Sequence, residues 1–148
     1  MSKDLTEALF DLSIALDRLG NAAAGRIGIN QTDLICLNLL LRRGPLSPTQ
    51  IAAELGLTPA AISAMATRLE AGGYARRDID PADRRRILMT ALPAGAERAF
   101  ALFDDLYNAT TALLASHPPE ELSRLIDLLA EYREIVLEKA NRLTSQGG

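Results

Sequence analysis

Three observations predict a mainly α-helical fold with one small antiparallel β-wing, a winged helix-turn-helix flanked by N- and C-terminal dimerisation helices. Two helix starts carry the same chemistry: Ser47-Pro48 and Thr58-Pro59 each offer a capping hydroxyl followed by proline at the first helical position. Two short strand-like runs come next, separated by the turn formers Asp80-Pro81-Ala82-Asp83 and by Arg84, Arg85 and Arg86. Apolar stripes at helical spacing occupy both ends of the chain.

From Asp4 to about Ala24, the residues Leu5, Leu9, Leu12, Leu16 and Leu19 alternate spacings of four and three, which places them on one face of a helix. Ala22-Ala23-Ala24-Gly25 is expected to let that helix fray into a short connection. Asn30-Gln31-Thr32-Asp33 supplies helix-starting polar residues for a second helix. Its Leu34, Ile35, Leu37, Leu39, Leu40 and Leu41 are apolar nearly all round and predict a central, buried position. Gly44-Pro45 stops it.

A helix from Pro48 to Leu55 follows, and Gly56-Leu57-Thr58 has the length of the turn in a helix-turn-helix. Ile51, Leu55, Leu57, Ile62 and Met65 are spaced to pack together. Ala52 is small where two steeply crossing helices leave little room. Gly72-Gly73 ends the helix that begins after Thr58. Tyr74–Ile79 and Arg86–Ala91 then read as paired strands.

Pro93 and Gly95 open a helical stripe of Ala96, Ala99, Phe100, Phe103, Leu106, Tyr107, Thr110, Leu113 and Leu114. His117-Pro118-Pro119 breaks it, with His117 as a loop residue. Leu122, Leu125, Leu129, Tyr132, Val136 and Leu143 form the last stripe, and residues 145–148 are expected to be a disordered tail. The expected boundaries are 1–29 for an N-terminal dimerisation helix and its connection, 30–92 for the winged module, and 93–148 for C-terminal dimerisation helices. The terminal stripes have no obvious partner inside so small a module. A second copy of the chain would bury them, and an intramolecular bundle is the alternative.

The apolar fraction of 48% and charged fraction of 24% belong to an ordinary soluble protein. No apolar run reaches the roughly 20 residues needed to cross a bilayer, and Met1-Ser2-Lys3-Asp4 lacks the layout of a signal peptide. No membrane partner is expected. One cysteine excludes an internal disulfide and fits a reducing, cytoplasmic location. One histidine and one cysteine cannot build a metal cluster, and no cofactor is expected. No nucleophile–base pair or glycine-rich phosphate loop is visible, so an enzyme is not expected.

Net charge is −3, which at first opposes a nucleic-acid partner, but its distribution does not. Residues 42–86 hold eight of the sixteen basic residues (Arg42, Arg43, Arg68, Arg76, Arg77, Arg84, Arg85 and Arg86) against five acids. A local basic footprint of this kind suits double-stranded DNA. On the helix after Thr58, the positions not needed for Ile62, Met65 and Leu69 are Pro59, Ala60, Ser63, Ala64, Thr67 and Arg68. Small side chains at its start allow close approach to base edges and thymine methyl groups. Ser63 and Thr67 can hydrogen-bond to bases or phosphate, and Arg68 suits guanine or phosphate. Thr58 is read as a cap first and a phosphate contact second.

Arg84, Arg85 and Arg86 would anchor the wing tip in a narrow, A·T-rich minor groove. If they lie on a strand, alternation sends Arg84 and Arg86 to one face and Arg85 to the other. Arg76 and Arg77 are read as structural partners of Asp78 and Asp80. Cys36, embedded in Leu34-Ile35-Cys36-Leu37, reads as a small buried hydrophobe, with a redox sensor as the alternative. A ligand pocket could form between the N-terminal helix, the helix at 32–42 and the one beginning near Pro93.

Leu55-Gly56-Leu57-Thr58, Arg68-Leu69-Glu70-Ala71-Gly72-Gly73-Tyr74, Asp80-Pro81-Ala82-Asp83-Arg84-Arg85 and Pro93-Ala94-Gly95 together resemble the MarR family of bacterial transcription regulators. The resemblance spans nearly the whole chain and is most specific over residues 51–95. It implies a homodimeric winged-helix repressor or activator, usually relieved by a small phenolic ligand or by cysteine oxidation, which here would fall on Cys36. The family's Asp-x-Arg wing motif lands on Asp83, Arg84 and Arg85. In similar proteins the arginine enters the minor groove while the aspartate holds it, which implies those roles for Arg85 and Asp83. One departure is Ala91-Leu92, where the family usually has Leu-Thr before Pro-x-Gly. The missing hydroxyl removes the expected cap of the next helix.

The leading expectation is a sequence-specific regulator, most simply a repressor, acting as a homodimer on a palindromic operator. A winged-helix protein-interaction module without DNA affinity is the competing reading, consistent with the sequence pI of about 5.2.

Overall fold

The structure is a computed structural model and describes residues 2–145; of the tail expected at 145–148, Ser145 is instead the last residue of a helix and 146–148 lie outside the described residues. The chain divides into two compact units, Met1–Leu102 and Phe103–Gly148. The first contains α1 (Ser2–Ile27), α2 (Gln31–Arg43), α3 (Pro48–Leu55), α4 (Pro59–Ala71), β1 (Ala75–Ile79), β2 (Ile87–Ala91) and α5 (Pro93–Phe100). The second contains α6 (Asp104–Ala115) and α7 (Pro119–Ser145), with a 3-10 turn at Ala101–Phe103 across the boundary.

α1 does not fray at the alanines. It continues through Gly25 to Ile27 and stops at Gly28, whose φ of +75° is a conformation glycine adopts without penalty. Ala23 and Ala24 are buried, α1 packs on α2, and the amide of Ile29 donates to the Ala24 carbonyl at 3.0 Å, closing the helix end. α2 packs against α1, α4, α5 and β2, burying Leu34, Cys36, Leu37 and Leu40. Its burial is one-sided, since Ile35 and Leu41 remain 47% and 46% exposed. Leu37, Ile51, Ile62, Met65, Leu69 and Met89 are the large, fully buried side chains of the core. Each contributes about 1.5–3 kcal/mol by leaving water.

The helix-turn-helix forms as the duplicated caps predict. Ser47 Oγ accepts from the Gln50 amide at 3.2 Å while Gln50 Oε1 accepts from the Ser47 amide at 2.8 Å, a reciprocal box that starts α3. Gly56 turns the chain with φ +64°. Thr58 Oγ1 accepts from the Ala61 amide at 3.2 Å and starts α4.

β1 and β2 pair antiparallel from Ala75↔Ala91 to Ile79↔Ile87, each one residue shorter than the Tyr74–Ile79 and Arg86–Ala91 that the sequence predicts. Leu46 adds a one-residue third strand, exchanging both backbone hydrogen bonds with Met89 at 3.1 and 2.8 Å. α5 starts without a side-chain cap at Leu92. The Leu92 amide donates to the Tyr74 carbonyl at 2.8 Å and Pro93 presets the first helical residue, so the absent hydroxyl does not shift the start. Gly95 packs against the backbone of Gly73 and Tyr74, and Arg98 secures the same junction by donating to the Gly72 carbonyl at 3.0 Å.

The single long helix expected from Pro93 to Leu114 is instead two. The 3-10 turn intervenes, and Asp104 and Asp105 in the first turn of α6 favour a new N-terminus through the helix dipole. In the second unit neither α6 nor α7 buries a residue among those described. Large apolar side chains such as Leu106, Tyr107, Leu113, Ile126, Tyr132 and Ile135 are exposed there. Among the described residues no helix is long and apolar enough to cross a membrane, and no group of three or more His, Cys, Asp or Glu side chains is placed to hold a metal ion.

Candidate nucleic-acid interface

α4 buries Ile62, Met65, Ala66 and Leu69 and leaves its other face to solvent. Thr58, Pro59, Ala60, Ser63, Ala64, Thr67 and Arg68 are all exposed on it. They are not chemically equivalent. Among the described residues Ser63 Oγ makes no hydrogen bond, so its full donor and acceptor capacity is available. Thr67 is committed: its hydroxyl donates to the Ser63 carbonyl at 3.1 Å and accepts from Arg77 Nη2 at 3.3 Å.

Arg77 also donates from Nη2 to the Ser63 carbonyl at 3.1 Å and from Nη1 to Glu70 Oε2 at 2.9 Å. Its backbone amide donates to Glu70 Oε1 at 2.9 Å. The expected pairing of Arg77 with Asp78 or Asp80 is therefore replaced by a clamp between β1 and α4. Residue Arg76 does take Asp78, at 2.8 Å.

Arg68 is the largest revision. Its Nε and Nη2 donate in parallel to Asp33 Oδ2 and Oδ1 at 2.9 and 2.8 Å. The Asp33 side chain is fully buried, whereas that of Arg68 is 42% exposed. These hydrogen bonds raise the Arg68 pKa above its usual value. The sequence offered Asp33 only as a helix-starting residue. One hint was a carboxylate opening a helix otherwise apolar nearly all round, since a buried acid needs a partner.

The wing tip is a loop rather than a strand, which overturns the expected alternation of Arg84, Arg85 and Arg86. The Arg86 amide donates to the Asp83 carbonyl at 2.9 Å, so Arg84 and Arg85 occupy the centre of a β-turn. Asp83 Oδ1 accepts from the Arg85 backbone amide at 3.0 Å, holding the turn and not the guanidinium. At the loop base Asp80, nearly buried, accepts from the Ala82 amide at 2.9 Å, and its own amide donates to the Arg86 carbonyl at 2.9 Å. Arg86 Nε lies 4.0 Å from Asp80 Oδ2. Among the described residues Arg84 and Arg85 make no ion pair, and both are exposed.

The basic footprint is thus narrower than the arginine count suggests. Arg43 pairs with Glu54, Arg68 with Asp33, Arg76 with Asp78 and Arg77 with Glu70, while Arg42 donates to Asn38 Oδ1 at 3.0 Å. Among the arginines of 42–86, those without an acid partner among the described residues are Arg42 and the wing-tip pair Arg84 and Arg85. An open cleft of about 510 Å³ lies between the starts of α3 and α4 and the wing, lined among others by Pro48, Pro59, Ser63, Thr67, Arg77 and Ile87.

Cys36 is fully buried, and burial, reinforced by the Asp33 charge, pushes its thiol up to about 11. This opposes a thiolate-based sensor. The raised pKa makes a stability contribution that is complete below the unfolded value near 9.0 and lost as pH rises through about 11. We expect the native thiol to resist iodoacetamide at pH 8 by at least about 100-fold relative to the unfolded chain, read by mass spectrometry. Rapid native alkylation would contradict the buried placement.

A model described as the MarR family matches residues 27–86. The uncharacterized HTH-type transcriptional regulator YcgE of Bacillus subtilis (strain 168) is 32% identical over 122 residues, covering 82% of this chain and 79% of its own. YdgJ of the same organism, also an uncharacterized HTH-type transcriptional regulator, is 28% identical over 127 residues, covering 86% and 77%. Among solved structures, wild-type MarR from E. coli in its apo form superposes with a TM-score of 0.62 at 22% identity, covering 86% of this chain and 95% of that one. A mutant of S. aureus MepR bound to an oligodeoxyribonucleotide does so with a TM-score of 0.59 at 17% identity, covering 89% and 97%. At these identities the two structures speak for the fold.

Proposed function

The chain belongs to the MarR family of transcription regulators, and we propose that it binds double-stranded DNA sequence-specifically, as a homodimer on a palindromic operator. The observation carrying this is the pairing, in one compact unit, of an exposed α4 face of small and hydroxyl side chains with a wing tip whose Arg84 and Arg85 make no ion pair among the described residues. Thr58, Pro59, Ala60, Ser63 and Ala64 would meet the major groove. Arg84 and Arg85, with Arg86 behind them, would reach the backbone and minor groove, and Asp83 would hold their turn. The nucleic acid bound to the MepR mutant supports this reading by likeness of fold.

Residues 1–29 and 93–148 would form the dimer. The support is the exposure of Leu5, Leu12 and Leu16 on α1, and of the apolar side chains of α6 and α7, which a second copy would cover. Two modules also match the two half-sites of a palindrome. Repression, release by a small phenolic or other apolar effector, and a cytoplasmic setting complete the proposal, on the strength of the family resemblance.

The test is titration of the purified protein against duplex DNA at several salt concentrations, with sizing by light scattering. We expect a dimer, preference for a palindrome and a steep negative log–log salt slope. The competing reading, a protein-interaction module, is favoured by the number of arginines already paired with acids. A flat salt dependence without sequence preference would select it.

A further inference from the structure

We infer that Asp33 and Arg68 form a positioning pair that sets the pose of α4 on α2, and that Arg68 takes no part in reading DNA. This rests on the DNA-binding reading and narrows its contact surface. Asp33 stands at the start of α2, where Oδ2 also accepts from the Asn30 amide at 3.3 Å. Arg68 lies 35 residues later, beyond Ser63 on α4. The apolar anchors of α4 hold it against the core but are non-directional. Two parallel hydrogen bonds from a planar guanidinium fix rotation and register as well.

Magnitudes decide which partner keeps the guanidinium. Moving Arg68 onto guanine would strand a fully buried carboxylate, a penalty of about a hundred- to several-thousand-fold in equilibrium terms. A good bidentate contact to guanine returns about ten- to a hundred-fold. The pair therefore survives binding, and Arg68 acts through α4. The same bonds tie α4 to the connection that follows α1, so a displacement there would be passed to the α4 surface.

The experiment compares wild type, Arg68→Lys, Asp33→Asn and the double variant against one palindromic duplex selected by the wild type from random DNA. Each is measured well below its own melting temperature. Arg68→Lys keeps the charge a phosphate needs but loses the fork Asp33 needs. We expect each single variant to weaken binding about tenfold, with the salt slope and the preferred bases unchanged, and the double variant to be no weaker than the worse single. Full affinity in Arg68→Lys would overturn the inference. So would relaxed preference at one base pair in Arg68→Lys alone, or melting temperatures that fall while affinities stay at the wild-type value. If Asp33→Asn does not fold, Arg68→Lys decides by itself. A wild type that binds no duplex would remove the DNA-binding reading, and this inference with it.

Discussion

Replacing Arg84 and Arg85 together by alanine is expected to lower affinity for duplex DNA by about two orders of magnitude and to flatten the log–log salt slope by about two. Both guanidinium groups are exposed and without an ion pair among the described residues, so each is free to displace a counterion from phosphate. Neither supports the fold, because the turn that carries them is held through the backbone by Asp83. The melting temperature should therefore stay within a degree or two of wild type. Arg85→Ala should weaken binding more than Arg86→Ala, since Arg86 shares its charge with Asp80 at 4.0 Å. Fluorescence anisotropy across a salt series reads the affinities and the slope, and a thermal melt reads the stability. An unchanged slope in the double variant would remove the wing from the interface.

The largest effect on stability is expected from Gly95→Ala. A β-carbon at that position would sit 2.3 Å from the Gly73 carbonyl oxygen and 2.7 Å from the Tyr74 Cα. Both obstacles are backbone, and they cannot swing aside as a side chain would. Gly73 is already held at φ +72°, and the Tyr74 carbonyl is engaged by the Leu92 amide at 2.8 Å. Separating α5 from this junction should cost about 3 kcal/mol, lowering the melting temperature by roughly 6–12 °C in a chain of this size. Gly25→Ala is the control: it is helical, and nothing lies within 4 Å of the added carbon. A melt for Gly95→Ala matching that control would mean the close approach is not present in solution.

Local chemistry made much of the fold readable. The hydroxyl–proline pairs at 47–48 and 58–59, the turn glycine at 56 and the apolar spacing of Ile51, Ile62 and Met65 each act within a few residues, and α3 and α4 fall where they place them. The misreadings came where distant residues decide. α1 outruns its alanines because α2 covers them. The interruption at Ala101–Phe103 carries neither glycine nor proline, so periodicity alone ran through it. At the candidate interface, exposure of the α4 face followed from periodicity, but the engagement of Arg68 by Asp33 and of Thr67 by Arg77 did not. Those partners lie 35 and 10 residues apart, and one charged side chain looks like another until its acid is found. The strand-to-loop difference at Arg84–Arg86 is local instead: Asp80 and Asp83 turn the chain through bonds to backbone amides two residues on, which composition only hints at.

The lone Leu46 bridge gives the hairpin the mechanics of a cantilever. Its root is held by the Leu92 amide on the Tyr74 carbonyl and its middle pair, Arg77↔Met89, by Leu46 and by Arg77 on α4, whereas beyond Ile79↔Ile87 the bonds among the described residues are those of the tip loop itself. A hairpin held in this way would bend most at its free end, where Arg84 and Arg85 lie exposed. If the wing meets a duplex as proposed, such a lever would follow an uneven groove through a few residues of loop and leave the helices at its base in place.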